Sequence, residues 1–180
     1  MDRDTTVTLD EVADGIVSTL QTQFADLHVE AYRTDRRNLP VPACLVEMTE
    51  FEDYDTDPGT GQLAVMATFN ALVVIGFRQP GKNPKREVRR LAGAVAAFAR
   101  LQRWGCKIGP AEVLGAFPDD FDPDLDQYES WRVEWRQVIH LGETVWTNDG
   151  ITPSVVKVSY SPLIGTAHEA DYVQIAGEPE

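Results

Sequence analysis

The 180-residue chain carries a formal net charge of −13 at pH 7, with 43% apolar and 25% charged residues. That profile fits one globular domain with a real core and excludes a disordered chain. No apolar run approaches the roughly 20 residues of a membrane span, and the acidic balance argues against general nucleic-acid binding. The charged start, Met1-Asp2-Arg3-Asp4, predicts no signal peptide. Cys44 and Cys106 form no CxxC pair and read as reduced, partly buried small hydrophobes of a protein made in a reducing cytoplasm.

Thr8-Leu9-Asp10-Glu11 has the form of a capping box, and Leu9, Val12, Ile16, Leu20 and Phe24 follow at helical spacing. Leu27 to Tyr32 predicts a short strand. Arg33 to Pro42 reads as a loop, because Pro40 and Pro42 force extended backbone. Ala43 to Phe51 resumes as a strand. Glu47 to Asp57 then carries six acids, and Asp57-Pro58-Gly59-Thr60-Gly61 supplies turn chemistry. The end of that stretch, Glu52 to Gly61, is expected to be a mobile loop.

Leu63 to Arg78 is a long extended run, with Leu63, Val65, Ala67, Phe69, Ala71, Val73, Ile75 and Phe77 on one face. Leu72 and Val74 make the other face apolar towards its end. At ~3.3 Å per residue it spans roughly 50 Å, so it must bend or project as a hairpin arm. A second helix starts at Asn83 as N-cap with Pro84 at its first position, and Gly105 marks its stop. Val88, Leu91, Val95, Phe98 and Gln102 share one side of it. Arg86, Arg89, Arg90 and Arg100 lie opposite, with the small Gly93 and Ala97 between them.

Val113 to Phe117 predicts a short strand, and Asp119 to Asp126 an acidic loop. Tyr128 to His140 alternates strictly: Trp131, Val133, Trp135, Gln137 and Ile139 against Arg132, Glu134, Arg136 and His140. That is a half-buried antiparallel strand. Val155 to Tyr160 predicts a last strand. From Gly165 the chain is polar and weakly patterned. The expected fold is α+β: an antiparallel or mixed sheet with two main helices on one face and a long β-hairpin. The expected division is a domain over 1–164 and a C-terminal tail over 165–180.

Charge is segregated along the chain. Arg78 to Lys107 holds nine Lys/Arg and the single acid Glu87, while the remainder is strongly acidic. Such a split suits surfaces that meet complementary surfaces, on a partner or on a second copy. The candidate interface residues are Arg86, Arg89, Arg90 and Arg100 on the basic side, and Glu52, Asp53, Asp55 and Asp57 on the acidic side. The alternative is a solvated basic helix on an acidic domain.

Chemistry is sparse. Gly76-Phe77-Arg78-Gln79-Pro80-Gly81-Lys82-Asn83 completes the GxxxxGK spacing of a phosphate-binding loop between a strand and a helix. Asn83 stands where a Ser or Thr would hold Mg²⁺, and Pro84 removes a backbone N–H where phosphate oxygens would bind. An ordinary strand–turn–helix connection is the better reading. His28, His140 and His168 are too dispersed for a zinc site. No GxSxG is present, and the acidic stretches lack the EF-hand order. Neither cysteine has an activating neighbour in sequence. No catalytic, cofactor or metal residue is therefore assigned, and the chain is not expected to be an enzyme.

In size, element order and texture the chain resembles the tail-terminator (tail-completion) proteins of long-tailed phages. The features carrying the resemblance begin with the opening amphipathic helix and Pro42-Ala43-Cys44-Leu45-Val46-Glu47 entering a strand. The acidic Gly-rich hairpin loop and the helix Glu87 to Trp104 follow. Trp131-Arg132-Val133-Glu134-Trp135 then leads to Leu141-Gly142-Glu143-Thr144-Val145-Trp146. The resemblance implies a virion protein made in the bacterial host cytoplasm, forming a ring, usually hexameric, on the head-proximal end of the tail tube. Its implied partners are its own copies, the major tail tube protein and the head–tail connector or stopper, with no membrane and no specific nucleic acid. Two alternatives stay open: another neck or head–tail joining protein, and a small P-loop-like nucleotide-binding protein.

Overall fold

The computed structural model describes residues 6–32, 39–56, 59–77, 83–119, 128–146 and 154–177. The chain divides into two compact units, residues 1–146 and 147–180.

In the first unit, α1 (Leu9–Gln23) begins on the expected capping box: the Glu11 amide donates to Thr8 Oγ1, and the Thr8 amide donates to Glu11 Oε2 at 2.7 Å. Its buried stripe is Val12, Ile16 and Leu20, one residue per turn of the 3.6-residue period. Gln21 ties the end of this helix to β1 (His28–Ala31), its amide group donating to Leu27 O and its carbonyl accepting from the Val29 amide. β2 (Ala43–Asp53), β3 (Leu63–Gly76), α2 (Pro84–Ala99), β4 (Glu112–Pro118) and β5 (Tyr128–Leu141) follow.

The five strands form one mixed sheet in the order β1-β2-β3-β5-β4, parallel only between β1 and β2. α1 packs on β1 and β2, and α2 on β5, β3 and β4. The fold is α+β. The large core lies between helices and sheet, where Cys44, Val65, Phe69, Val73, Val133, Trp135 and Ile139 meet Val12, Ile16, Leu20, Val88 and Val95. A smaller cluster of Leu39, Ala43, Leu45, Leu72 and Val74, with Tyr128 against it, occupies part of the opposite face.

β3 does not project as a lone arm. It is the central strand, paired along its length with β5 and over most of it with β2. The excess length is shared by three long strands, so the sheet itself is long in the strand direction. β2 also runs further than expected: Glu52 pairs with Met66 and Asp53 with Val65, so these two acids lie in strand rather than loop. Beyond them, the Val145 amide donates to Thr60 O and Trp146 Nε1 to Gly59 O, each at 2.8 Å.

α2 is shorter than expected, ending at Ala99 instead of near Gly105. The Leu101 amide bonds to Ala111 O and the Ala111 amide to Gln102 O, so this backbone bridges to the segment entering β4 and cannot continue the helix. Leu101 and Trp104 both take positive φ (66° and 56°) in making the turn. The turn delivers the Trp104 indole to Gln137, a buried polar residue at the centre of the core. Gln137 Oε1 accepts from Trp104 Nε1 (2.7 Å) and Trp135 Nε1 (3.3 Å), while Nε2 donates to Gln102 O (3.0 Å) and Gly109 O (2.8 Å). All four hydrogen-bonding positions of the amide are filled, as burial demands.

The second unit holds β6 (Val155–Val158), a 3-10 segment over Thr166–Asp171 and β7 (Val173–Gly177), with β6 and β7 paired antiparallel. The two compact units meet between residues 146 and 147. The expected tail carries a strand because β6 finds its partner in β7.

Candidate interaction surface

α2 presents Arg86, Arg89 and Arg90 to solvent, as its period requires once Val88, Ala92, Val95 and Ala99 face the core, and Arg100 is exposed at its C-cap. Two of the arginines are engaged locally. Arg89 Nε donates to Lys85 O at 2.9 Å, and Arg90 Nη2 meets Glu87 Oε2 at 3.1 Å. The start of the helix sits at one end of the sheet, where Lys85 Nζ lies 4.0 Å from Glu129, a β5 residue paired with Ile75.

Glu52, Asp53 and Asp55 are exposed at the other end of the sheet. Asp53 pairs with Val65 and Val65 with Ile139, so this end lies ten positions along β5 from Glu129. At ~3.3 Å per residue the two ends are on the order of 30 Å apart. The structure therefore separates Arg86, Arg89 and Arg90 from the acidic residues instead of bringing them together. Arg100 is the exception: with Tyr54, Met66 and Arg136 it lines a shallow cleft of about 400 Å³ near the acidic end. Asp57 lies outside the described residues.

Sequence reasoning missed the cross-strand pair on the sheet face away from the helices. Arg136 Nε and Nη2 hold Glu112 Oε2 and Oε1 at 2.9 and 3.2 Å, a two-point contact between β5 and β4. The hydrogen bond and charge of Arg136 keep the Glu112 carboxyl below its ordinary range. Glu112, followed by mixed residues, gives no sequence signal of it. The apolar residues left exposed on and beside β4 were also missed: Leu101 is 60% exposed, Leu114 44% and Phe117 45%. Leu114 and Phe117 escape the period-2 pattern because the register shifts between Val113 and Gly115.

For chemistry the described residues offer little to assemble. No group of three or more His, Cys, Asp or Glu among them could hold a metal ion. Cys44 is fully buried, which pushes its thiol up to about 12. Burial, and then the charge of Glu11, raise Cys106 as well, so neither is poised as a nucleophile. Residues 78–82 of the near phosphate-binding loop lie outside the described residues. His28 lies 3.3 Å from Glu30, and His168 lies 3.0 Å from Asp171, in separate units. No helix among the described residues is long and apolar enough to cross a membrane. Compared with known proteins, the chain matches no family model and no curated sequence.

Proposed function

We propose that this chain is a structural subunit of a long-tailed phage virion, a tail terminator whose copies close into a ring on the head-proximal end of the tail tube. The observation that carries the reading is the charge polarity of one rigid sheet. Arg86 and Arg89 stand exposed at one end, and Glu52, Asp53 and Asp55 at the other. Poles that far apart cannot satisfy each other within one chain, but they meet when copies associate head to tail. A contact between two different patches closes into a ring when the rotation allows. Exposed ion pairs contribute only on the order of 0–1 kcal/mol each. The charges therefore set orientation, while apolar contact and strand pairing supply most of the affinity. The role asks for faces to its own copies, to the tube protein and to the head connector, and for no catalytic group.

The test is negative-stain microscopy of the purified chain, alone and mixed with tail tubes of a long-tailed phage that encodes it. Rings seated on tube ends are expected. Arg86→Glu/Arg89→Glu should abolish them, and adding Glu52→Arg/Asp53→Arg should restore them. Bare tube ends with the wild-type chain would overturn the terminator reading. Normal capping by the folded charge-reversed chain would show that the two poles are not the interface.

A further inference from the structure

The basic end of the sheet holds a cleft of about 540 Å³, where the end of α1, the first turns of α2 and the end of β3 come together. Phe24, Leu27, Ile75 and Leu91 line it, together with Asp26, Glu87 and Arg90. Its size lies in the range of clefts that take ligands, but such clefts orient a polar ligand with a few well-placed polar groups. Here Arg90 already holds Glu87, and none of the three charged side chains is buried. The cleft therefore suits an apolar group. Its border is basic: the first two turns of α2 carry Lys85, Arg86, Arg89 and Arg90 against Glu87, and Asp26 is the one further acid lining the cleft.

The acidic end carries the complementary shape. Trp146 is 58% exposed although it is tied down. Its Nε1 donates to Gly59 O, the Val145 amide to Thr60 O and Gln62 Nε2 to Gly142 O, each at 2.8 Å. The ring is thus fixed against the connection between β2 and β3, and its N–H is satisfied before any partner arrives. Such a tryptophan can enter an apolar cleft without stranding a polar atom, and it has little side-chain freedom left to lose. Phe51 and Leu63 are exposed at the same end, among Glu50, Glu52, Asp53 and Asp55. The cleft and the tryptophan lie at opposite ends of β3, so they cannot meet within one chain.

We infer that Trp146 of one copy seats in the Phe24–Leu27–Ile75–Leu91 cleft of the next copy and is the apolar anchor of a head-to-tail contact. A rigid aromatic side chain filling a pocket inside a polar rim is the form that dominant interface residues take. The acids around Trp146 then face Arg86 and Arg89 beside the cleft, which sets the direction of approach. Each copy keeps one open cleft and one free tryptophan until the ring closes. The inference rests on the reading of the chain as a ring-forming subunit, and it names the contact that builds the ring.

The experiment is sedimentation of the intact purified chain, without tails, over a range of concentrations. Wild type is compared with Trp146→Ala, which removes the anchor, and with Ala25→Trp. Ala25 is exposed and lines the cleft, so Ala25→Trp fills it from outside and leaves the core untouched. The wild type should associate, and each variant should associate at least about tenfold more weakly. An equal mixture of the two variants should form two-chain complexes, because the tryptophan of the Ala25→Trp copy still fits the open cleft of the Trp146→Ala copy. Misfolded variants could not complement each other in this way. A wild type that stays monomeric at every concentration, a variant that associates as the wild type does, or a mixture without two-chain complexes would each overturn the inference. Capping is scored separately on tails. Bare tube ends beside an associating wild-type chain sink the terminator reading alone, and capped ends with Trp146→Ala sink the anchor alone.

Discussion

Gln137 is where β5, the turn after α2 and the approach to β4 are locked together. Replacing it with Leu keeps the volume and strands two indole N–H groups and two carbonyls inside the core. Each stranded buried group costs about 1–3 kcal/mol, so Gln137→Leu should lower unfolding stability by at least about 3 kcal/mol in urea melts. Two helical glycines give a comparison of opposite sign. A Cβ on Gly15 would sit 2.6 Å from the Trp104 carbonyl oxygen, whereas one on Gly93 would meet nothing within 4 Å. Gly93→Ala should therefore stabilise by about 0.5–1 kcal/mol through helix propensity alone. Gly15→Ala should destabilise despite the same propensity gain, and equal melting shifts for the two would show that α1 does not approach the 104–106 turn so closely. Gln137 also marks a limit of sequence reading. Its alternation with Trp135 and Ile139 placed it on the buried face, but nothing in sequence supplied the four partners from residues 102, 104, 109 and 135.

Elements with strong local chemistry were legible: α1 from its capping box, β5 from its alternation and α2 from Asn83-Pro84. Their ends were less so, because tertiary hydrogen bonds decided them. Gly105 was the best local stop for α2, yet the 101–111 bridge ended the helix sooner. β7 was missed because Val173 and Ile175 are too few to stand out without β6 beside them. The pair that joins β4 to β5 makes a prediction about acid. Arg136 lowers the folded-state pKa of Glu112, so the pair's contribution is complete above the unfolded-state value and is lost as pH falls through the folded one. Arg136→Gln should thus be less stable than the wild type at pH 7, with the gap closing as the pH drops below the carboxylate range. A gap that stays constant in denaturant melts across that range would count against the contact.

For the whole molecule, composition showed that charge is divided, but not how far apart the two signs lie. Distance came from β3 and β5, whose long pairing sets the acidic end and the start of α2 at opposite ends of one sheet. If copies associate through those poles, raising salt from about 0.05 to 0.5 M should weaken association measured by sedimentation, since the screening length shortens from roughly 14 to roughly 4 Å. Association unchanged by salt would leave the poles without a role. A further check concerns the near phosphate-binding loop. Asn83 caps α2 by accepting from the Arg86 amide, so its side chain serves the helix, and calorimetry with Mg-ATP or Mg-GTP should show no saturable binding. Micromolar binding abolished by Lys82→Ala would reverse that view.

The central position of β3 has a consequence for the newborn chain. Synthesis runs from the N-terminus, so β2 and β3 emerge together and can pair at once, whereas β5, the other neighbour of β3, is translated only after α2 and β4. In that interval an apolar strand with one open side waits on the ribosome, a state in which chains stick to one another. α2 is translated during the wait and packs against β3 as well as β5, so it can shield one face of the strand before its last partner arrives. Ribosome-release products stopped before Tyr128 should be insoluble, and those extended through Trp146 soluble.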